Sequence, residues 1–215
     1  MVCPPVACFR GANMNDSVLN RHRHKRLLRL VVNDPLFTAV MNYRHSELML
    51  RFGARFNLPM KEFVRIFDET KRWLYLVGKH SDSNFNPVIW DCMTVIDEMW
   101  HEFMLYSEDY SDFCLKYFGR YIHHLPTHSL DKSKTRKRLL NGDLEAIERQ
   151  RIEIDRLISL VFDLFGRDIA RLWFQEFKLQ YPPTKLRNLQ IKALQQKECE
   201  EEEFLEQKRQ SLRAR

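Results

Sequence analysis

The chain has 215 residues, with 35 Lys and Arg against 29 Asp and Glu, five Cys, six Gly and eight Pro. It is too long to need disulfides or a structural metal merely to fold. It is too poor in Gly and Pro for a collagen or a linker protein, and at 44% apolar residues too hydrophobic for wholesale disorder. The net charge of +6 permits nucleic-acid binding without demanding it, since 30% charged residues of mixed sign is an ordinary solvated surface.

Residues 1–20 read as a leader, polar after the short apolar patch Cys3-Pro4-Pro5-Val6-Ala7-Cys8. They lack the basic start and long apolar run of a secretory signal. Arg21 to Val32 spaces Leu27, Leu28, Leu30 and Val31 as a short basic helix. Asn33-Asp34-Pro35 is a helix start, with Asp34 as cap and Pro35 in the first turn. That helix is expected to run to Arg51, with Gly53 as its stop. Leu58-Pro59 opens a stronger helix, on which Phe63, Ile66, Phe67, Thr70, Trp73, Leu74 and Val77 recur at helical steps until Gly78.

After the polar loop His80 to Pro87, Ile89, Met93, Ile96, Trp100, Phe103 and Met104 mark a helix over Val88 to Tyr106. Ser107-Glu108-Asp109 reads as a break and cap. Tyr110, Phe113, Cys114, Tyr117, Phe118 and Tyr121 follow on an aromatic helix that Pro126 ends, so His123 and His124 are expected at its C-terminus. Leu130 to Asn141 is basic and either mobile or helical at the surface. Asn141-Gly142-Asp143 is a turn and cap, and Leu144 to Leu164 makes a long amphipathic helix ending near Gly166. Ile169, Leu172, Trp173 and Phe177 continue as helix to Tyr181-Pro182-Pro183. No strand alternation, hairpin signal or internal repeat appears.

The expected fold is therefore all-α. One multi-helix domain spans 33–183, preceded at 1–32 by an extension with a basic helix and followed at 184–215 by a charged helical tail. The tail's apolar positions Leu186, Leu189, Ile191, Leu194, Phe204, Leu205 and Leu212 do not sustain a heptad, which favours a solvated or partner-docked helix. Cys3, Cys8, Cys92, Cys114 and Cys199 form no C-x-x-C pair. That spacing argues against a disulfide framework or a four-cysteine zinc module, and points to a reducing, cytoplasmic compartment. No apolar run is long enough to span a bilayer, so no membrane association is expected.

Chemistry concentrates in Ile96 to Pro126, IDEMWHEFMLYSEDYSDFCLKYFGRYIHHLP. Asp97 and His101 lie four apart and share a helix face, which suits a carboxylate orienting an imidazole, or two metal ligands. Cys114, His123 and His124 complete a set with the chemistry for zinc or another divalent transition metal. Each residue also has a structural reading. Asp97 could pair within its helix, His101 could sit at the core edge, and Cys114 could be a small buried apolar group. His123 and His124 could complement a helix dipole. The pattern is not H-E-x-x-H, and no P-loop, G-x-G-x-x-G or G-x-S-x-G motif is present.

Asp97-x-x-Trp100-His101-x-x-Met104, Tyr110, Phe113-Cys114, Phe118-Gly119 and His123-His124-x-Pro126 resemble the signature of the glycine-rich domain-containing protein-like family. The resemblance runs from Phe63 to Pro126 and implies a helical domain whose hallmark is the Trp100-His101 pair. Asp97, Tyr110, Cys114, His123 and His124 follow with it. It implies no reaction. The glycine-rich segment of the larger members, and any RNA-binding role tied to it, has no counterpart in this chain.

Two basic runs, Arg21 to Arg26 and Lys132 to Arg138, offer a sequence-independent, salt-sensitive contact to nucleic-acid phosphates, or are simply solvated faces. No RNA-binding motif with interleaved aromatics accompanies them. The expectation is a helical protein with a metal-binding or catalytic site around Trp100-His101. The rival is a non-catalytic module that docks a protein, through its tail, or RNA.

Overall fold

Asp34 opens the first helix in two ways at once. Its Oδ1 accepts the Leu36 N–H at 2.8 Å, and its Oδ2 accepts the Tyr75 hydroxyl at 2.7 Å. The cap thus also ties helix α1 (Pro35–Asn42) to helix α3 (Met60–His80). The computed structural model describes residues 31–80, 87–124 and 129–213, with backbone alone at 129–132. Over these residues the protein is all-α, with no strand among them. The basic run Arg21 to Arg26 lies outside the described residues.

The helix expected to run from Pro35 to Arg51 is two helices, α1 and α2 (Ser46–Phe56). Tyr43 leaves helical geometry at φ −60° and ψ 138°, and its ring packs edge-on against Phe113 at 4.9 Å. His45 then caps α2, its Nδ1 accepting the Leu48 N–H at 3.1 Å. The fully buried Lys71 closes the end of α1. Its ammonium donates to the carbonyls of Met41 at 2.7 Å and Tyr43 at 3.1 Å, and pairs with Asp68 at 2.9 Å. Burial lowers the Lys71 pKa, with the Asp68 bond working against that shift. The helix-end carbonyls supply the partners that a buried cation needs.

Gly53 and Gly78 do not stop their helices. Helix α2 continues to Asn57, which closes it in the left-handed region at φ 48°, and α3 continues to His80. Both glycines make room for rings. A Cβ on Gly53 would lie 2.5 Å from the Phe63 ring, and one on Gly78 would lie 2.3 Å from the Phe118 ring.

Helix α4 (Thr94–Leu105) follows a short 3-10 turn at Asp91–Met93, and the single residue Tyr106 joins it to α5 (Ser107–Phe118). Ser107 begins α5 without a side-chain cap, and Asp109 instead reaches across to His45 at 3.1 Å. Helix α6 (Ser129–Leu140) carries its basic residues from Lys134 to Arg138 exposed. Helix α7 (Leu144–Phe165) starts at Asp143, whose Oδ1 accepts the Ala146 N–H at 3.1 Å, and stops at Gly166 with φ 89°.

Helices α8 (Arg167–Arg171) and α9 (Phe177–Gln180) flank a π-helical turn at Leu172–Glu176. That turn sets Trp173 against α3, where its Nε1–H donates to the buried Glu69 carboxylate at 2.8 Å. Trp73 sits between Trp100 and Trp173 with centroid separations of 6.4 and 6.2 Å, so three indoles hold the centre of the core. Helix α10 (Pro183–Arg213) packs its first turns on α2 through the buried Leu186 and Ala193. Asn57 Nδ2 donates to Gln196 Oε1 at 3.2 Å, and the residues beyond are exposed. No helix among the described residues is long and apolar enough to cross a membrane.

Candidate metal centre

Asp97 and His101 lie one turn apart on α4, as their spacing requires. The His101 Nδ1–H donates to the Asp97 backbone carbonyl at 2.7 Å, and the same nitrogen lies 3.6 Å from Asp97 Oδ2. A carbonyl oxygen only accepts, so the proton sits on Nδ1 and the lone pair of neutral His101 is on Nε2. The third member arrives from outside the helix. His124 Nε2–H donates to Asp97 Oδ1 at 2.7 Å, and its ring lies 4.4 Å from the His101 ring. One ligand atom from each of Asp97, His101 and His124 falls within 4.8 Å of the other two.

The coil carrying His124 has a defined anchor. Helix α5 ends at Gly119, which takes φ 68°, and residues 121–124 run as coil rather than helix. His123 and His124 therefore do not occupy a helix C-terminus. Glycine adopts the left-handed region without steric cost, so the chain turns here, upstream of Pro126. Two bonds then pin the returning coil. The Trp100 Nε1–H donates to the Tyr110 hydroxyl at 2.9 Å, and that hydroxyl donates to the Ile122 carbonyl at 2.6 Å. All three residues are buried, and the His124 ring packs on the Trp100 indole at 4.3 Å.

Of the expected ligands, Cys114 and His123 do not join the three. Cys114 is fully buried beside the Tyr110 hydroxyl and the Ile122 backbone, and burial pushes its thiol up. Tyr110 is likewise raised, first by burial and then by its thiol neighbour. Cys114 thus supports the anchor from inside. His123 turns to solvent against the Tyr121 ring at 4.9 Å. Of the two adjacent histidines, His124 alone packs on the Trp100 indole.

Access to the three is uneven. The side chains of His101, Asp97 and His124 are 47%, 28% and 15% exposed, so the cluster opens to solvent through His101. Beside it, α4 presents Glu98 and Glu102 to Arg51 and Arg55 of α2. Arg51 Nε meets Glu102 Oε2 at 2.9 Å, Arg55 meets Glu98 at 3.1 Å, and Arg55 also bonds Glu102. This clasp fixes α4 on the side facing α2. Its signal is present in the sequence as an Arg pair and a Glu pair, each spaced four apart and so on one helix face. The Ile122 carbonyl has no such signal, because a backbone acceptor is the same in every residue.

These features define an all-α protein with a two-histidine, one-carboxylate cluster set by a helix and the coil that crosses it. Residues 37–153 match the model of the UCP032817-like family, and the chain belongs to that family. The matched span contains Asp97, His101, His124 and the Trp100–Tyr110–Ile122 anchor. Neither the curated proteins nor the solved structures give a match.

Proposed function

We propose that Asp97, His101 and His124 bind one divalent transition metal of the zinc class, and that the centre polarises a small oxygen-bearing ligand or water. The observation that carries this reading is the convergence of two imidazoles and a carboxylate at a partly open surface. Two histidines and a carboxylate are a recurrent donor set for zinc and non-haem iron, and three protein ligands leave coordination positions open. A bound ion would take the place of the proton that His124 Nε2 shares with Asp97, the neutral imidazole then carrying its proton on Nδ1. When bound, the metal supplies Lewis acidity and lowers the pKa of coordinated water.

The protein's own part is positioning. Tyr110 and Trp100 hold the His124 segment, and the α4 backbone holds the His101 ring. The unit that bears the site is the helical body from 33 to 183, with 1–32 and 184–215 as extensions. The resemblance to the glycine-rich domain-containing protein-like family supports Trp100-His101 as the hallmark of that unit. Cys114 and Cys199, which form no disulfide, suit a reducing, cytoplasmic setting. A second reading has one favouring observation, the exposed Lys134, Arg136 and Lys137 of α6, which suit a salt-sensitive contact to nucleic-acid phosphates.

The test uses untagged full-length protein, metal analysis by mass spectrometry and zinc titration by calorimetry. Near-stoichiometric metal in the wild type, lost in Asp97→Ala, His101→Ala and His124→Ala and kept in Cys114→Ser and His123→Ala, is the expected pattern. A wild type that binds no metal, or variants that bind it unchanged, would overturn the reading.

A further inference from the structure

Helix α10 is 31 residues long, which at 1.5 Å per residue is about 46 Å. Only its first part is covered. Leu186 and Ala193 are buried, and Gln196 makes the last hydrogen bond from α10 to the helical body among the described residues. From Lys197 to Arg213 every residue is exposed, including Phe204 at 64%, Leu205 at 51% and Leu212 at 65%. Most helical stability in proteins comes from packing of an apolar face, and this stretch buries none against the described residues.

The exposed residues form a seam. Leu194, Glu198, Glu201, Leu205, Lys208 and Leu212 alternate at steps of three and four along one stripe, adjacent to the docked face. The seam is a coiled-coil register in which charged residues occupy half of the positions. Leu residues alone therefore do not sustain it, but the charges have a pattern of their own. Running a second copy in the opposite direction, with the two-fold axis beside Glu203, puts Leu212 opposite Leu194, Lys208 opposite Glu198 and Leu205 opposite Glu201. The Lys208 of the copy also falls within one turn of Glu201. Phe204 lies next to the axis, so the two rings flank each other. Glu202 meets its own copy at the solvent edge, where water and salt screen the repulsion. A parallel, in-register pair would instead stack Glu198, Glu201 and Lys208 each on its like, which disfavours that orientation.

We propose that the exposed half of α10 is a self-association surface, on which two copies of this chain pair as an antiparallel coiled coil closed at each end by Leu194 and Leu212. The pairing is isologous and consumes the seam of both copies, so it stops at a dimer.

Light scattering on the full-length protein over a concentration series tests this, with circular dichroism to show that the variants keep their helices. Wild type is expected at twice the chain mass. Glu198→Lys and Lys208→Glu are each expected to shift the protein to monomer, and the double variant Glu198→Lys/Lys208→Glu to restore the dimer. Leu212→Glu is expected to give monomer without rescue. A wild type that stays monomeric up to its solubility limit would overturn the proposal. So would a dimer indifferent to Leu212→Glu, or one that the double swap fails to restore.

Discussion

The imidazole of His124 meets the carboxylate of Asp97 at 2.7 Å, across 27 positions of chain and between a coil and a helix. The contact exists because the coil is held at Ile122, two residues earlier, by a hydroxyl that is itself held by an indole. A short-range helical pair, Asp97 and His101, becomes a three-donor cluster only through that anchor.

Tyr110→Phe therefore separates packing from positioning. The ring keeps its place against Phe103 and Tyr121, but the Ile122 carbonyl and the Trp100 N–H lose their shared partner. Leaving buried polar groups without partners costs about 1–3 kcal/mol. Urea unfolding is expected to show a loss of that size. The His124 ring signals are expected to broaden in NMR spectra while those of His45, which bonds Asp109 instead, stay sharp. Unchanged His124 signals would show that the coil has another anchor.

Gly78→Ala places a methyl group 2.3 Å from the edge of the Phe118 ring, and Gly53→Ala one 2.5 Å from the edge of Phe63. Alanine favours helices, so an isolated helix would gain. Here overpacking dominates, and each variant is expected to lose about 1–3 kcal/mol in chemical denaturation. A gain in stability at either site would mean that the rings move freely.

Acidification acts on Asp34. Burial disfavours its ionised form, but the Tyr75 hydroxyl, the Leu36 N–H and Lys79 outweigh burial and hold the pKa below the usual carboxylate range. A carboxylate lowered in the folded state contributes stability that is complete above its unfolded pKa and is lost as pH falls through the folded value. Stability is thus expected to fall below about pH 4. Asp34→Asn is expected to be less stable at neutral pH, within the roughly 0.5–2 kcal/mol range of lost helix caps, and to show a shallower loss below pH 4. Thermal melts across that range check both effects, and parallel curves for the two proteins would refute the assignment.

Glu102→Gln tests the clasp of α4 on α2. The buried carboxylate holds Arg55 by a charge-assisted bond worth about 1.5–3 kcal/mol and Arg51 by an ion pair, before the part-exposed arginines relax into water. The net loss is expected to fall near the low end of that range. Hydrogen exchange is expected to rise in α2 more than in α7, and uniform exchange would show that the clasp is not local.

Much of the fold was legible along the chain. Asp34-Pro35, Leu58-Pro59, Asp143 and Gly166 mark real boundaries, because caps and proline act on the backbone within one turn of themselves. Gly53 and Gly78 read wrongly as stops. A glycine required by a ring from elsewhere in the chain looks the same in sequence as one required by a turn, and here Phe63 and Phe118 make the difference. The break at Tyr43 was hidden for the same reason, since Phe113 holds its ring and Lys71 its carbonyl.

The site divides along the same line. Asp97 and His101 were paired by helical periodicity alone, and the choice of His124 over His123 and Cys114 was not. Periodicity is a local property, carried by 3.6 residues per turn, so a linear reading recovers it. Which of two adjacent histidines faces a carboxylate 27 residues away depends on where Gly119 turns the chain and where Tyr110 catches it. Both depend on a buried core of indoles that forms only when distant helices pack, and long-range packing leaves no period in the sequence to read.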